Sequence, residues 1–501
     1  MRPILANMGL VLQLAGILVA FPIGMGFIYN ESQAIIALFI TSFAFFFFGF
    51  FLNTMSVREE LDFKQSCILL TEVFVVLGVI GALPYIWLNA FNDTNMGSRI
   101  LNSLFESVSG FTTTGFSLIT DPDDLPRSLM FYRSFTHLIG GLGVVFLLLA
   151  FFYTGNTLEN MSKVMNFVRV NDSIKKSLVM ILVVYSVYIA LFSGIFYLLG
   201  FTNIADTISV VLSSLMTGGF SPVTDFSPYA AYPAGLIVIV MMVFGAVSFI
   251  VHYRIITLKL KKAITAEFFV YIFISAISVV ALMKLYPIDL FSTIFHVISA
   301  SSGTGFAAID FTKVPEKAKL VYILLMFIGG MSFSTAGGIK ISRLMLFFKS
   351  IFYTLRTAIG NEDKNKILID GNEFGSNIII TNLVLILVSI VIAVGAGVMF
   401  WFSGFGLVDS MFEVSSAFGT VGLSTGIATL ALAAHLKLAL IVLMIMGRVE
   451  AIPFFVALSG LRLKKGDKAA PVEGTAQVVE PIPSDPFKTE PGISNDEFKI
   501  S

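Results

Sequence analysis

The sequence contains few of the residues that form most enzyme active sites. Cys67 is its only cysteine, so the chain cannot form an internal disulfide bond, and the four histidines are scattered along the 501 residues. No HExxH motif occurs, and His and Cys residues are not clustered at metal-ligand spacing. The sequence therefore predicts a protein that is not an enzyme.

Charged residues are also scarce. They make up 13% of the chain, and 32 basic residues balance 32 acidic ones, so the net charge does not indicate a nucleic-acid partner. Hydrophobic residues make up 56%, and the mean hydropathy is +0.90. A soluble domain has to cover itself with more polar groups than this. The composition predicts a polytopic, all-α membrane protein in a lipid bilayer.

Ten apolar runs are long enough to be membrane spans, because a hydrocarbon core about 30 Å thick needs roughly 20 residues per helix. We interpret the first run as a retained helix, since no small-residue cleavage site ends it. Glycines interrupt the eighth. The runs lie near residues 9–28, 34–52, 67–89, 128–153, 177–199, 233–251, 265–285, 320–348, 377–402 and 433–457.

Basic residues follow every second run, which predicts that both termini are cytoplasmic. Lys313, Lys317 and Lys319 weaken the contrast at one outer connection. After residue 465 the chain is polar and rich in proline, and we expect a disordered cytoplasmic tail. The basic residues on which the orientation depends are Arg58, Lys64, Lys163, Arg169, Lys175, Lys176, Arg254, Lys259, Lys261, Lys262, Arg356, Lys364, Lys366, Arg462, Lys464, Lys465 and Lys468.

Four segments too short to cross a membrane follow the third, fifth, seventh and ninth runs. They align without a gap, and each opens with Asn, Asp or Ser, which are suited to a helix N-cap. Thirteen residues later each reaches a glycine that is followed by Phe or Leu. The segments are NSLFESVSGFTTTGFSL from Asn102, DTISVVLSSLMTGGFSP from Asp206, STIFHVISASSGTGFAA from Ser292 and DSMFEVSSAFGTVGLST from Asp409.

A short helix and an extended loop inside a bilayer are tolerated only where protein or water satisfies the peptide groups, so these loops are expected to face a pore. Glycine permits backbone conformations that turn successive carbonyls toward one axis, and rings of carbonyls select potassium. The alternative is that these are ordinary glycine turns between helices. The repetition in register favours the pore.

These residues resemble the Trk/Ktr/HKT superfamily of potassium transporters, in which one chain carries four helix–pore-loop–helix units. The segment SGFTTTGFS is similar to the family's first pore loop, and two added N-terminal helices are most similar to the TrkH type. Glycine in all four loops implies potassium selectivity. The implied ligands are the backbone carbonyls of Thr113, Thr114, Gly115, Gly218, Gly219, Thr304, Gly305, Val421 and Gly422, with Thr217, Gly303 and Thr420 adjacent.

The eighth run contains FIGGMSFSTAGGIKISR, which resembles the family's intramembrane gating loop, and Arg448 in the tenth run resembles the arginine that acts as a barrier below the filter. A charge at that depth marks function by default. Alternatively, the glycines form a packing kink and Arg448 pairs with Glu450. The predicted gate residues are Gly329, Gly330, Ser332, Ser334, Thr335, Gly337, Gly338 and Arg448.

Other polar residues of the repeat carry weaker expectations. Glu106 and Glu413 occupy one column inside the short helices and could tune the filter from behind, or simply pair with nearby hydroxyls. His296 fills the same column, where we expect a packing role. Arg133 and His137 are expected to anchor the fourth run at the membrane interface.

The predicted architecture has two accessory helices (1–60), four pore repeats (61–160, 161–260, 261–370 with a broken second helix, and 371–465) and the tail (466–501), around one central pore. The resemblance implies a homodimer in the cell membrane and a separate cytoplasmic nucleotide-binding regulatory subunit of the TrkA/KtrA type. The transported ion is then potassium. The alternatives are a sodium- or ammonium-conducting member of the superfamily, or a solute carrier with inverted halves.

Overall fold

The computed structural model describes residues 2–55, 61–152, 174–256, 258, 264–359, 367–369, 372–374 and 376–460. Contacts divide the chain into two units, Met1–Leu461 and Arg462–Ser501. The second unit, which includes the predicted tail, lies outside the described residues. So do most of the basic connections that predict the orientation, among them Arg58, Lys163, Arg169, Lys259, Lys261, Lys262, Lys364 and Lys366.

Helices occupy all ten predicted spans. Three helices precede four units of similar construction: α1 (Arg2–Val19), α2 (Phe21–Tyr29) and α3 (Ser32–Thr54). The first unit contains α4 (Phe63–Gly81), α5 (Leu83–Leu88), α6 (Met96–Phe111) and α7 (Arg127–Phe152). The second contains α8 (Ile174–Leu198), α9 (Ile204–Leu215), α10 (Ser227–Ala230), α11 (Ala234–Ala246) and α12 (Phe249–Ile256).

The third unit contains α13 (Ala266–Leu285), α14 (Leu290–Ser302), α15 (Glu316–Phe327) and α16 (Ile341–Ala358). A hairpin follows, in which β1 (Ile367–Ile369) pairs antiparallel with β2 (Asn372–Phe374). The all-α prediction did not include this hairpin. The fourth unit contains α17 (Ser376–Phe402), α18 (Leu407–Phe418), α19 (Ala434–Val449) and α20 (Ala451–Gly460), and 3-10 turns lie at Pro122–Asp124 and Phe311–Lys313.

Length and composition make this a polytopic membrane protein. Six helical spans in the described part of the chain are long and apolar enough to cross a bilayer, and two bent pairs raise the number to eight. In α8 and α13 only 22% of the most apolar window is buried, so most of their apolar side chains face outward, toward lipid. The remaining two predicted spans correspond to α7 and to α15 with α16.

The final helix of three units is interrupted. α11 and α12 meet at 108°, and α19 and the α20 segment meet at 109°. Residues 328–340 separate α15 from α16, whereas α7 runs without a break. Interrupted backbone at this depth is stable only where protein satisfies its peptide groups.

The short helices, by which we mean α6, α9, α14 and α18, begin earlier than the repeat predicts. Asn95, Asn203 and Asp289 cap the first three through their side chains, and Gly406 precedes the fourth. The N-cap prediction is therefore wrong, because the four predicted caps lie inside the helices. Three of those side chains instead accept hydrogen bonds from neighbouring units, and the four residues are Asn102, Asp206, Ser292 and Asp409.

Candidate functional site

Each short helix ends in a loop with the same backbone pattern. Two residues of each loop have positive φ, which L side chains rarely adopt, and the residue between them does not. Glycine is the ordinary solution to such a conformation. The left-handed pairs are Thr113 (φ 55°) and Gly115 (84°), Thr217 (52°) and Gly219 (72°), Gly303 (76°) and Gly305 (82°), and Thr420 (51°) and Gly422 (88°).

The four loops approach one another in a closed cycle. In each loop the second left-handed residue is a glycine, and a Cβ atom built on it would collide with a carbonyl oxygen of the next loop. The fourth loop contacts the first in the same way, which closes the cycle. Glycine is thus required by space as well as by φ. The Cβ-to-oxygen distances are 2.0 Å for Gly115 to Gly218, 1.9 Å for Gly219 to Thr304, 1.6 Å for Gly305 to Val421 and 2.2 Å for Gly422 to Thr114.

We call Gly115, Gly219, Gly305 and Gly422 the ring glycines. Because the four loops touch in this cycle, the residues that the sequence predicts as ion ligands lie close together. In the described residues no group of three or more His, Cys, Asp or Glu side chains could hold a metal ion. A cation at this site would be held by backbone oxygens and hydroxyls, which suits a weakly bound, moving ion.

Two pairs of hydroxyl groups are hydrogen-bonded within the loops. Thr112 Oγ1 lies 2.8 Å from Thr114 Oγ1, and Ser302 Oγ lies 2.7 Å from Thr304 Oγ1. Thr113 and Thr420 are fully buried, and their hydroxyls have no hydrogen-bond partner in the structure. Both belong to left-handed positions.

Glu106 and Arg133 form a buried ion pair behind the first loop. Arg133 Nη2 lies 2.7 Å from the Glu106 carboxylate, and the side chains are 1% and 0% exposed. Arg133 also donates to the Ser221 carbonyl at 3.2 Å, and its guanidinium lies 4.2 Å from the Phe220 ring centroid. The prediction that Arg133 anchors a helix at the interface is wrong, because the side chain is buried and its partners belong to α6 and to the second loop.

His137 is also buried and not at an interface. Its Nδ1 lies 3.2 Å from Ser213 Oγ, and its ring stacks on Phe220 at 4.5 Å. A Cβ on Gly218 would lie 2.1 Å from this ring. His137 therefore packs directly against the backbone of the second loop, which corrects the sequence prediction.

Glu413 holds the fourth loop. Its carboxylate accepts hydrogen bonds from Ser424 Oγ (2.7 Å) and from the N–H groups of Thr425 (3.1 Å) and Ala428 (2.8 Å). The letters GLSTG from Gly422 match the GxSxG pattern of serine hydrolases. Ser424 donates to a carboxylate, however, and is not paired with a histidine base.

The loop of residues 328–340, which we call the inner loop, contains all the predicted gate residues except Arg448. It lies directly against the ring loops. A Cβ on Gly337 would lie 2.2 Å from Thr420 Oγ1, and a Cβ on Gly303 would lie 3.5 Å from Ala336 Cβ. Thr217 Oγ1 lies 3.2 Å from Thr335 Oγ1.

Backbone hydrogen bonds hold the inner loop in place. Gly329 N donates to Ile339 O at 2.8 Å, which closes the loop at its base. Met331 N and Thr335 N donate to Ala246 O and Gly245 O at 2.9 and 3.3 Å, at the break between α11 and α12. The break in one unit therefore supplies acceptors for the loop of the next.

Side chains complete this attachment. Thr335 Oγ1 donates to Gly245 O at 2.9 Å, Ser334 Oγ to Met331 O at 2.6 Å, and Ser332 Oγ is hydrogen-bonded to Ser342. Gly330 and Gly338 occupy tight positions, since a Cβ on Gly330 would lie 2.9 Å from Ala246 O and Gly338 has φ 69°. The glycines serve a specific loop conformation, so a simple packing kink does not describe them.

Arg448 fastens the inner loop to α7. It donates to Thr335 O, and its Nη2 donates to Gly140 O and Gly141 O at 3.0 and 3.2 Å. Glu450 does not pair with it, because Glu450 forms an ion pair with Arg343 of α16. The predicted alternative for Arg448 is therefore wrong.

Several contributing glycines were missed by the sequence analysis. A Cβ on Gly140 would lie 1.8 Å from Phe111 O, one on Gly245 2.7 Å from Leu215 O, and one on Gly447 1.9 Å from Phe418 O. Each lets the last helix of a unit touch the end of its short helix. Their recurrence at a similar sequence spacing after the glycines of the loops could have identified them.

Comparisons with known proteins agree with this architecture. A family model, TrkH, described as a cation transport protein, matches residues 31–274 and 269–462. An uncharacterized cation transporter of Methanocaldococcus jannaschii is 27% identical over 92% of this chain and 96% of its own. The Trk system potassium uptake protein TrkG of Escherichia coli is 28% identical over 66% of this chain and 70% of its own.

A solved structure supports the fold independently. The potassium transporter TrkH from Vibrio parahaemolyticus has a TM-score of 0.80 and 23% identity, covering 92% of this chain and 98% of that one. At that identity the likeness shows the fold alone. The family model, in contrast, matches most of the sequence, and it describes transporters and not enzymes. The chain therefore belongs to the TrkH family of cation transport proteins.

Proposed function

We propose that this protein takes up potassium across the cell membrane through the four loops around the ring glycines. The observation that carries this proposal is the closed cycle in which each ring glycine touches a carbonyl of the next loop. In this proposal, backbone oxygens of the four loops line one path. A dehydrated cation passing between them exchanges its hydration shell for those oxygens.

Potassium is favoured over sodium by two considerations. All four loops have glycine at the ring position, which in the resembling superfamily accompanies potassium selectivity. Relatives from Vibrio parahaemolyticus and Escherichia coli are described as potassium uptake proteins. The C-terminal ends of the short helices carry partial negative charge at this point, which favours any monovalent cation and does not distinguish potassium from sodium.

The inner loop and Arg448 are proposed to form the gate. The contacts of Ala336 and Gly337 with Gly303 and Thr420 support this assignment, because they hold the inner loop against the ring loops. Arg448 adds a fixed positive charge that repels a cation there. Opening requires the loop to leave these contacts, so ion flux depends on breaking the Arg448 hydrogen bonds.

Assembly and orientation remain predictions that come from the resemblance and the charge pattern. We propose a homodimer with one pore per chain and cytoplasmic termini. A separate nucleotide-binding subunit of the TrkA/KtrA type would dock on the cytoplasmic side and move the inner loop.

Uptake of rubidium-86, a potassium mimic, into proteoliposomes tests the proposal. We expect external potassium to compete with rubidium strongly and sodium weakly. Equal competition by sodium would overturn the assignment of potassium and favour the sodium-conducting alternative. Protein-free liposomes and liposomes with an unrelated membrane protein give the background.

A further inference from the structure

Three of the four loops are tied to their own short helix by one equivalent hydrogen bond. The donor is the backbone N–H three residues after the ring glycine, and the acceptor is a side chain nine residues before it. The bonds run from Leu118 N to Glu106 (2.9 Å), from Ala308 N to His296 Nε2 (3.0 Å) and from Thr425 N to Glu413 (3.1 Å).

The second loop has neither partner. Its acceptor position is Val210, and the residue three after Gly219 is Pro222, which has no N–H group. A buried N–H without an acceptor is costly, and so is a buried acceptor without a donor. Val210 and Pro222 are thus a matched pair, because the loop lacks both the N–H donor and the side-chain acceptor and leaves neither unpaired.

The matching includes a second donor, the side chain of the residue two after the ring glycine. Glu106 and Glu413 have two oxygens, and each also accepts from a serine two residues after the ring glycine, Ser117 or Ser424. His296 has only one acceptor atom, Nε2, because its Nδ1 donates to Ser292 O at 2.7 Å. The residue two after the ring glycine of this loop is accordingly Ala307, which has no hydroxyl to donate. In the second loop the Ser221 hydroxyl instead donates to Val223 O at 2.6 Å.

We propose that Glu106, His296 and Glu413 are positioning residues that set ion selectivity, with Val210 and Pro222 as the second loop's equivalent solution. This inference depends on the proposed function of the ring. The acceptors are fully buried, and the bonded N–H lies only three residues from the ring glycine. A shift of this part of the loop therefore moves the ring carbonyls and changes the spacing on which selectivity depends.

The third loop offers a direct test, because the solution of the second loop can be copied into it. His296→Val leaves the Ala308 N–H without an acceptor, and we expect the potassium-to-sodium permeability ratio to fall by about fivefold or more. Adding Ala308→Pro removes that N–H. We expect the double variant to recover to within about twofold of the unchanged protein.

Purified full-length protein is measured in planar bilayers, with folding monitored by thermal unfolding. A ratio unchanged by His296→Val, or a double variant no better than the single one, would overturn the inference. If His296→Val does not fold, Pro222→Ala provides the reciprocal test, since it adds an unaccepted N–H that Val210→His should rescue. An unchanged protein without potassium preference would instead overturn the proposed function.

Discussion

Lys437 of α19 donates a hydrogen bond to Asn102 of α6 at 2.7 Å, which joins the fourth unit back to the first. Equivalent contacts join the first unit to the second and the third to the fourth. Arg127 lies 3.2 Å from Asp206, and Lys319 lies 2.7 Å from Asp409. Three of the four side chains that the repeat suggests as helix caps are therefore links between units.

The link at Arg127 also includes Asp123 and Thr224. Asp123 accepts from Thr224 N at 2.9 Å and from Arg127 at 3.0 Å. The Thr224 N–H, together with the Arg127 guanidinium, lowers the pKa of Asp123. This carboxylate therefore stays charged to lower pH than an ordinary aspartate.

Replacing Lys319 with Met should lower the free energy of unfolding by about 1–3 kcal/mol, because the Lys319 side chain is 5% exposed and also donates to Thr312 O. Lys313→Met is the matched control, since Lys313 is 79% exposed in its pair with Asp310. Thermal unfolding of both variants measures the difference. Equal losses would show that the link contributes nothing specific.

Replacing Gly115 with Ser should reduce the preference for potassium. The new Cβ would meet Gly218 O at 2.0 Å, at a residue with φ 84°, so the first two loops must move apart. Gly200→Ala is the control, because Gly200 has φ 93° but no atom within 4 Å of a built Cβ. We expect the control to lose about 1 kcal/mol of stability without a change in selectivity.

Sodium competition in rubidium uptake distinguishes the two variants. If Gly115→Ser retains the selectivity of the unchanged protein, the ring glycines are not the selective element.

Replacing Arg448 with Ala should increase ion flux by about tenfold or more. The substitution removes the hydrogen bonds to Thr335, Gly140 and Gly141, and a bond to a charged group contributes about 1.5–3 kcal/mol. Deleting residues 332–336 should act in the same direction. Initial rates of rubidium uptake measure the effect, and unchanged rates in both variants would exclude them as barriers.

Arg133→Met should destabilise the protein by about 3–5 kcal/mol, because it leaves the Glu106 carboxylate buried without its cation. Adding Glu106→Gln should recover part of this loss. Thermal unfolding of the single and double variants measures the coupling. Additive losses would show that the two side chains do not interact as the ion pair requires.

The sequence predicted the helices and the ring positions because both depend on local pattern. Apolar runs of spanning length are visible directly, and the ring glycines share a left-handed backbone that few other residues adopt. The thirteen-residue register also brought Glu106, His296 and Glu413 into one column. What it could not supply was the partner of each polar side chain.

Those partners are distant in sequence. Arg133 was placed at an interface because it starts an apolar run, yet it bonds to Glu106 and Ser221. Glu450 is the nearest acidic residue to Arg448 in the sequence, but the acceptors of Arg448 are carbonyls more than a hundred residues away. Carbonyl groups belong to every residue, so no sequence pattern identifies the ones that an arginine selects.

The reversal potential under bi-ionic conditions, with potassium on one side of a planar bilayer and sodium on the other, tests the central claim most directly. Purified full-length protein with the four ring glycines intact should give a potential shifted strongly toward the potassium equilibrium value. A potential near zero would mean that potassium and sodium pass equally well, and it would contradict a potassium filter built from these loops.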